Sequence, residues 1–289
     1  MYTDFVHYFF LLIIFAFFSC TSQKESQIND SNINGTESEE VAKSESIDIE
    51  NAKGFVYSDY DGFKGYDFVE GTNRIPFRIF VPENSSSKTY SLLLYIHGMG
   101  SVGSDNKKPL ELSARFGESE FQKKHPCIVL VPQCSKYKRW VKSDNWSYPL
   151  TFSEMPTVPM ALLMKLIEKI ITEYPVDTSS IYVGGPSMGG FATWDLLCRL
   201  PDKFAAAFPL CGGVDLNMAS KIRNVPIWCF HGARDPTVSV KFSRDMVKAL
   251  KAVGGNPKYT EYPEAEHNVW DITLNYDPLF DWLFYQTRK

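Results

Sequence analysis

Ser187 stands at the centre of GGPSMGG, residues 184–190. A serine hydroxyl is a weak nucleophile until a base takes its proton, so the residue alone says little, but its flanks say more. SSIYV before the glycines (Ser179 to Val183) is a β-branched and aromatic run with strand character. FATWDLLCRL after them (Phe191 to Leu200) repeats apolar residues at helical spacing. Strand, tight glycine turn and helix are the context in which G-x-S-x-G lifts a serine onto a nucleophile elbow. Gly185 and Gly189 are required because such a turn leaves no room for side chains beside the serine. The helix points its amide end at the place where negative charge would develop.

A nucleophile of this kind needs a base, and the base needs an acid to orient it. The folded part offers His97, His125, His231 and His267. On a serine elbow the chain order is serine, acid, histidine. His97 and His125 precede Ser187, and His231 leaves almost no room for an acid ahead of it. His267, in PEAEHNVW, is therefore the candidate base. The acid should close a strand between the two, and VPIWCFHGARDPTV supplies Asp235, with Asp215 and Asp245 as rivals. A tetrahedral oxyanion needs two amide donors. One is expected from Met188, the residue after the nucleophile. The other is expected from HGMG (His97 to Gly100), with Met99 ahead of Gly98. Trp140, Trp146, Tyr148 and Trp270 are candidates to line a substrate pocket, since aromatic faces suit a phenolic or sugar group. Core packing is the competing role for each.

Regular elements must carry these residues to one place. RIPFRIFVP (74–82), TYSLLLYIHG (89–98), CIVLVPQC (127–134), AAAFPLCGG (205–213), VPIWCFHG (225–232) and KYTEYPEA (258–265) read as strands. The stretch 54–71 reads as one or two short antiparallel strands broken at Asp-Gly. Residues 159–174, 242–255 and 277–289 read as helices, the first opened by a proline and the second stopped by glycines. Strands apolar on both faces alternate with helices. That predicts an α/β domain over 54–289, a mostly parallel central sheet with helices on both faces.

Ahead of this domain, Phe5 to Phe18 is apolar apart from His7 and Tyr8, the length of a signal-peptide core and short for a membrane span. It runs into FFSC and then TSQKES. The stretch 1–20 resembles a bacterial lipoprotein signal, which implies cleavage before Cys20, lipid on its sulfur, and a membrane-anchored exported protein. The n-region departs from that pattern in having no Lys or Arg. Residues 21–53 contain no aromatic and carry eight acids against three lysines, a net −5, so a disordered polar tether is expected. Residues 54–289 are then about +2, without a basic stripe, which argues against nucleic acid as a partner. Beyond Cys20 there are five cysteines, an odd number that leaves at least one free. Cys127 and Cys134 flank one strand, about 23 Å apart, too far for a disulfide. No CxxC, HExxH or His-x-His spacing appears, so neither a metal nor a cofactor is implied.

Taken jointly, GPSMGG, IHGMGSVGSDN (96–106), VPQC with Trp140 and Trp146 beyond it, HGARDPTV and YPEAEHNVW resemble one group of proteins. It is the serine carboxylesterase group of α/β-hydrolases that includes polyhydroxybutyrate-depolymerase-like and feruloyl- or acetylxylan-esterase-like proteins. Dienelactone hydrolases and the catalytic domain of prolyl oligopeptidases are similar at greater distance. The former use cysteine where this chain has serine, and the latter carry a propeller for which there is no length here. The resemblance covers about residues 70–289. It implies the α/β-hydrolase fold, a triad of Ser187, Asp235 and His267, and oxyanion amides at Met99 and Met188. It also implies hydrolysis of small or carbohydrate-linked esters. A lipase or polyester hydrolase, and a non-catalytic surface binding protein on the same scaffold, are the competing expectations.

Overall fold

A computed structural model describes residues 57–83, 89–143 and 146–288. The signal segment 1–20 and the tether 21–53 lie outside the described residues. β1 (Lys64–Glu70) and β2 (Asn73–Phe80) form an antiparallel hairpin, and β3 (Tyr90–Tyr95) follows. Two short helices, α1 (Leu110–Ser113) and α2 (Ser119–Lys124), lead to β4 (Cys127–Pro132). Then come α3 (Val158–Glu173), β5 (Val176–Pro186), α4 (Met188–Arg199), β6 (Ala206–Leu210), α5 (Ala219–Ile222) and β7 (Trp228–Gly232). The chain closes with α6 (Lys241–Ala252), β8 (Lys258–Tyr262), α7 (Trp270–Leu274) and α8 (Asp277–Tyr285).

The strands form one sheet in the order β1-β2-β4-β3-β5-β6-β7-β8. From β4 to β8 every pairing is parallel; β1 and β2 supply the antiparallel edge. Side chains of a strand alternate between faces, and β3 shows the result. Leu92, Leu94 and the following Ile96 pack with α3, α4 and α6, whereas Leu93 and Tyr95 pack with α1, α2 and α8. Both faces are thus apolar and covered, as the near-continuous hydrophobic strands required. Each fully buried Leu, Ile, Val or Phe adds roughly 1.5–3 kcal/mol of transfer free energy.

The order 4-3-5 creates the feature that matters for function. The chain leaves β3 for one face of the sheet, through α1 and α2, and leaves β5 for the other, through α4. At such a switch point a crevice opens beyond the carboxyl ends of the two strands, where open α/β sheets bind ligands. HGMG follows β3 and Ser187 follows β5, so both fall on this crevice.

Several boundaries differ from the sequence reading. The elbow strand extends to Pro186, and its helix begins at Met188 instead of Phe191. The last helix stops at Tyr285: the Tyr182 hydroxyl donates to Gln286 O at 2.8 Å and Arg288 N donates to Ser179 O, pulling the tail out as extended chain. α6 ends at Ala252, with Gly254 at a left-handed φ of 85° behind it. The helices α1, α2, α5 and α7 were not expected from the sequence. All five described cysteines are free and buried. Among the described residues no helix is long and apolar enough to cross a membrane.

Candidate active site

Ser187 adopts φ 55° and ψ −120°, a conformation a β-carbon rarely tolerates, at a cost of about 1–3 kcal/mol. Two bonds hold it there. Ser187 N donates to Leu210 O at 2.9 Å, and Phe191 N donates to Ser187 O at 3.0 Å. The glycines on either side serve a close approach of backbones. A β-carbon on Gly185, or one on Gly189, would lie 1.9 Å from the carbonyl oxygen of Ile96. That carbonyl is therefore lodged between the two glycines. Gly189→Ala is expected to destabilise the fold by about 3 kcal/mol, since backbone on both sides must give way. Thermal denaturation should show a midpoint roughly 6–12 °C lower, and an unchanged midpoint would contradict the contact.

His267 lies five residues past β8 and Asp235 three residues past β7, at the same edge of the sheet as Ser187. Gly232 permits that meeting: a β-carbon there would lie 2.0 Å from Glu266 O. His267 Nδ1 is 2.7 Å from Asp235 Oδ2, and His267 Nε2 is 2.9 Å from Ser187 Oγ. A carboxylate can only accept, so Nδ1 carries the hydrogen and Nε2 is left to accept from the serine hydroxyl. Asp235 Oδ1 accepts from Thr237 N and Val238 N, each at 2.8 Å. Burial pushes the Asp235 carboxyl up. Hydrogen bonds from His231, His267 and the Val238 amide outweigh it and hold the group well below the usual carboxylate range.

The HGMG loop lies alongside. A β-carbon on Gly98 would be 3.5 Å from Ser187 Cβ. His97 is buried and accepts at Nε2 from Cys134 N at 2.9 Å, which leaves the hydrogen on Nδ1, donated to Gly98 O at 2.6 Å. Burial lowers the His97 pKa to about 4 against the opposing Gly98 bond, so the ring stays neutral. Gly98 C=O and Met99 N–H belong to one trans peptide plane and point opposite ways. Gripping the carbonyl thus fixes the direction of the Met99 amide. Gln133 braces the rest of the loop, donating to Ser101 O and accepting from Asn106 N. The second expected donor, Met188 N, is the first amide of α4 and has no acceptor within the helix. Ser187's own amide is occupied by Leu210 O.

The rivals have other partners. Asp215 accepts from Phe152 N and Asn217 N, and Asp245 from the Tyr148 hydroxyl at 2.5 Å. His125 stacks on Phe284 against α8. His231 is fully buried beside Asp235. Of the expected pocket aromatics, Trp140 is corrected: it is 0% exposed, packs against the His97 ring beneath the loop, and offers no face to a substrate. Trp146 is half-buried against Phe191 with the Arg139 guanidinium over its other side. Trp270 meets the His267 ring edge to face at 5.6 Å. Tyr148 is braced by Phe242 and Lys241.

The family model described as Phospholipase/Carboxylesterase matches residues 78–276. A solved structure entitled a thermostable esterase is 35% identical with a TM-score of 0.71, over 79% of this chain and 64% of that one. A bifunctional acetylxylan esterase/xylanase of Neocallimastix patriciarum is 32% identical over 108 residues, 36% of this chain and 16% of that protein. A poly(3-hydroxyalkanoate) depolymerase C of Paucimonas lemoignei is 28% identical over 97 residues, 34% of this chain and 23% of that protein. The chain spans less than two thirds of each of these three proteins.

Proposed function

The chain belongs to the Phospholipase/Carboxylesterase family, within the α/β-hydrolases, and on that premise we propose that it hydrolyses carboxylic esters with Ser187, His267 and Asp235 as its triad. The observation that carries this is the His267 ring, hydrogen-bonded to Asp235 on one side and to Ser187 on the other. Ser187 Oγ attacks the ester carbonyl while His267 Nε2 takes its proton. The oxyanion is received by the Met99 and Met188 amides, each such donor being worth roughly 10²–10³ in kcat. His267 then gives the proton to the leaving alcohol. Water, deprotonated by the same nitrogen, releases the acid from Ser187. Asp235 stays ionised throughout and stabilises the imidazolium.

The substrate we propose is a small or carbohydrate-linked ester, of acetyl or feruloyl type. The acetylxylan esterase relative supports this, and so does the aromatic face of Trp270 beside the His267 ring. The poly(3-hydroxyalkanoate) depolymerase relative favours a polyester as the second reading. The full chain assayed on p-nitrophenyl acetate, methyl ferulate and p-nitrophenyl palmitate should turn over the first two fastest. Preference for palmitate would replace the proposal with a lipase. Failure on all three would leave a binding protein on a hydrolase scaffold. Export and anchoring through lipid on Cys20 complete the proposal, resting on the apolar run 5–18 and FFSC. Cys20→Ser should free the protein from the membrane fraction, and an unchanged distribution would refute the anchor.

A further inference from the structure

Asp235 Oδ2 faces two histidines. His267 Nδ1 lies at 2.7 Å, and on the buried side His231 Nε2 lies at 3.3 Å. His231 is the penultimate residue of β7 and is fully buried, as is the Asp235 side chain. Its Nε2 is also 3.0 Å from Val238 O, and its Nδ1 is 2.7 Å from Ser243 Oγ on α6. A carbonyl can only accept, so Nε2 carries a hydrogen, which it gives to Val238 O, with Asp235 Oδ2 at 3.3 Å beside the same N–H edge. The Ser243 hydroxyl then donates to Nδ1. The result is a chain of five side chains, Ser187, His267, Asp235, His231 and Ser243, in which one carboxylate stands between two serine–histidine pairs. One pair faces the crevice; the other is sealed in the core.

We propose that the sealed pair, Ser243 and His231, positions the Asp235 carboxylate and takes a share of its charge, thereby setting how strongly Asp235 holds His267. The geometry supports both parts. The Val238 amide donates to Oδ1 while the Val238 carbonyl accepts from His231, so one residue of the turn holds both the ring and the carboxylate. Rotation of the carboxylate would break its bonds from Thr237 N and Val238 N. A carboxylate oxygen with a second N–H edge turned toward it is less basic than one that faces a single donor. The unequal arms, 2.7 and 3.3 Å, leave His267 the stronger claim.

Other charged and titratable groups also face His231. Glu261, its register partner on β8, is already paired with Arg244 of α6 through bonds of 2.6 and 2.8 Å and accepts from the Tyr259 hydroxyl. The Cys211 thiol, from the end of β6, lies within 4.8 Å of the His231 and Asp235 ligand atoms and donates to His267 O. Burial keeps that thiol protonated. Asp235 is thus the acceptor whose charge His231 can modulate.

The inference rests on Asp235 being the acid of the triad. It is tested in the full chain with His231→Leu, His231→Gln and Ser243→Ala, followed by kcat, KM and the pH profile of kcat/KM on p-nitrophenyl acetate. In His231→Leu the Oδ2 charge loses the N–H edge on its buried side. Its acid limb should move up by about half a pH unit, and kcat should fall about tenfold with KM within about twofold. His231→Gln, whose amide N–H can reach the Nε2 position, should restore most of both. Ser243→Ala, which keeps the ring, should shift the limb the same way by less, and it carries the test if His231→Leu does not fold. An acid limb unmoved in every variant, or one that moves down, overturns the inference, as does a Gln variant no better than Leu. Asp235→Asn run alongside separates the two failures. Full activity there sinks the triad assignment itself, whereas a crippled Asp235→Asn beside indifferent His231 variants sinks the positioning role alone.

Discussion

Ser187→Ala is expected to lower kcat by roughly 10⁴–10⁶-fold while leaving the fold intact. In the proposed mechanism the hydroxyl forms the bond to the acyl carbon, and no other described group stands within hydrogen-bond reach of His267 Nε2. What remains is an oxyanion site with a poorly placed water, which accounts for the residual rate. The fold survives for a local reason. The bonds that hold the elbow, Ser187 N to Leu210 O and Phe191 N to Ser187 O, are backbone bonds that alanine keeps. Alanine also meets the left-handed φ of 55° with the same β-carbon that serine has. The melting midpoint should therefore move by no more than about 2 °C. A purified variant with near-normal turnover would remove Ser187 from the mechanism.

Asp235→Asn should cost about 10⁴-fold in kcat, and the structure says which way the amide will turn. Thr237 N and Val238 N both donate to the Oδ1 position, so an acceptor must sit there. The single carbonyl oxygen of asparagine is drawn to that place, which puts NH₂ where Oδ2 was. It then donates to His267 Nδ1, and the ring is forced to carry its hydrogen on Nε2. That tautomer cannot take the Ser187 proton. The same NH₂ faces His231 Nε2–H, donor against donor, so a modest loss of stability should accompany the loss of rate. Steady-state kinetics at neutral pH together with thermal denaturation check both. A variant within tenfold of the parent would show that the ring is oriented by something else.

Much of this was legible in the residues. Gly185 and Gly189 mark the elbow because a carbonyl must pass between them. His267 and Asp235 follow from chain order, because each lies just past a parallel strand and parallel strands end at one edge. The alternation of apolar strands and amphipathic helices gave the sheet and its two covered faces. Other features escaped for physical reasons. α1 and α2 have four and six residues, too few for a period to show, and exist by packing on the sheet. Trp140 reads like a pocket residue because aromaticity does not reveal which side of a loop a ring takes. His231 looked like a rejected rival base, with Asp235 four positions on as the only hint. Its partner Ser243 arrives from a helix whose placement no local pattern announces.

The lodging of the Ile96 carbonyl between two glycines has a consequence for how such a protein can change. The root of the HGMG loop and the turn bearing Ser187 are locked at van der Waals range, so in the proposed mechanism angle of attack and oxyanion support form a single inherited unit. Residues 146–157, with Trp146 on Phe191 and Tyr148 on Phe242, lie outside that contact. Selection for a new acyl or alcohol group, in nature or in a library, can act on that flank, whereas any side chain at 185 or 189 pushes the two backbones apart and costs stability.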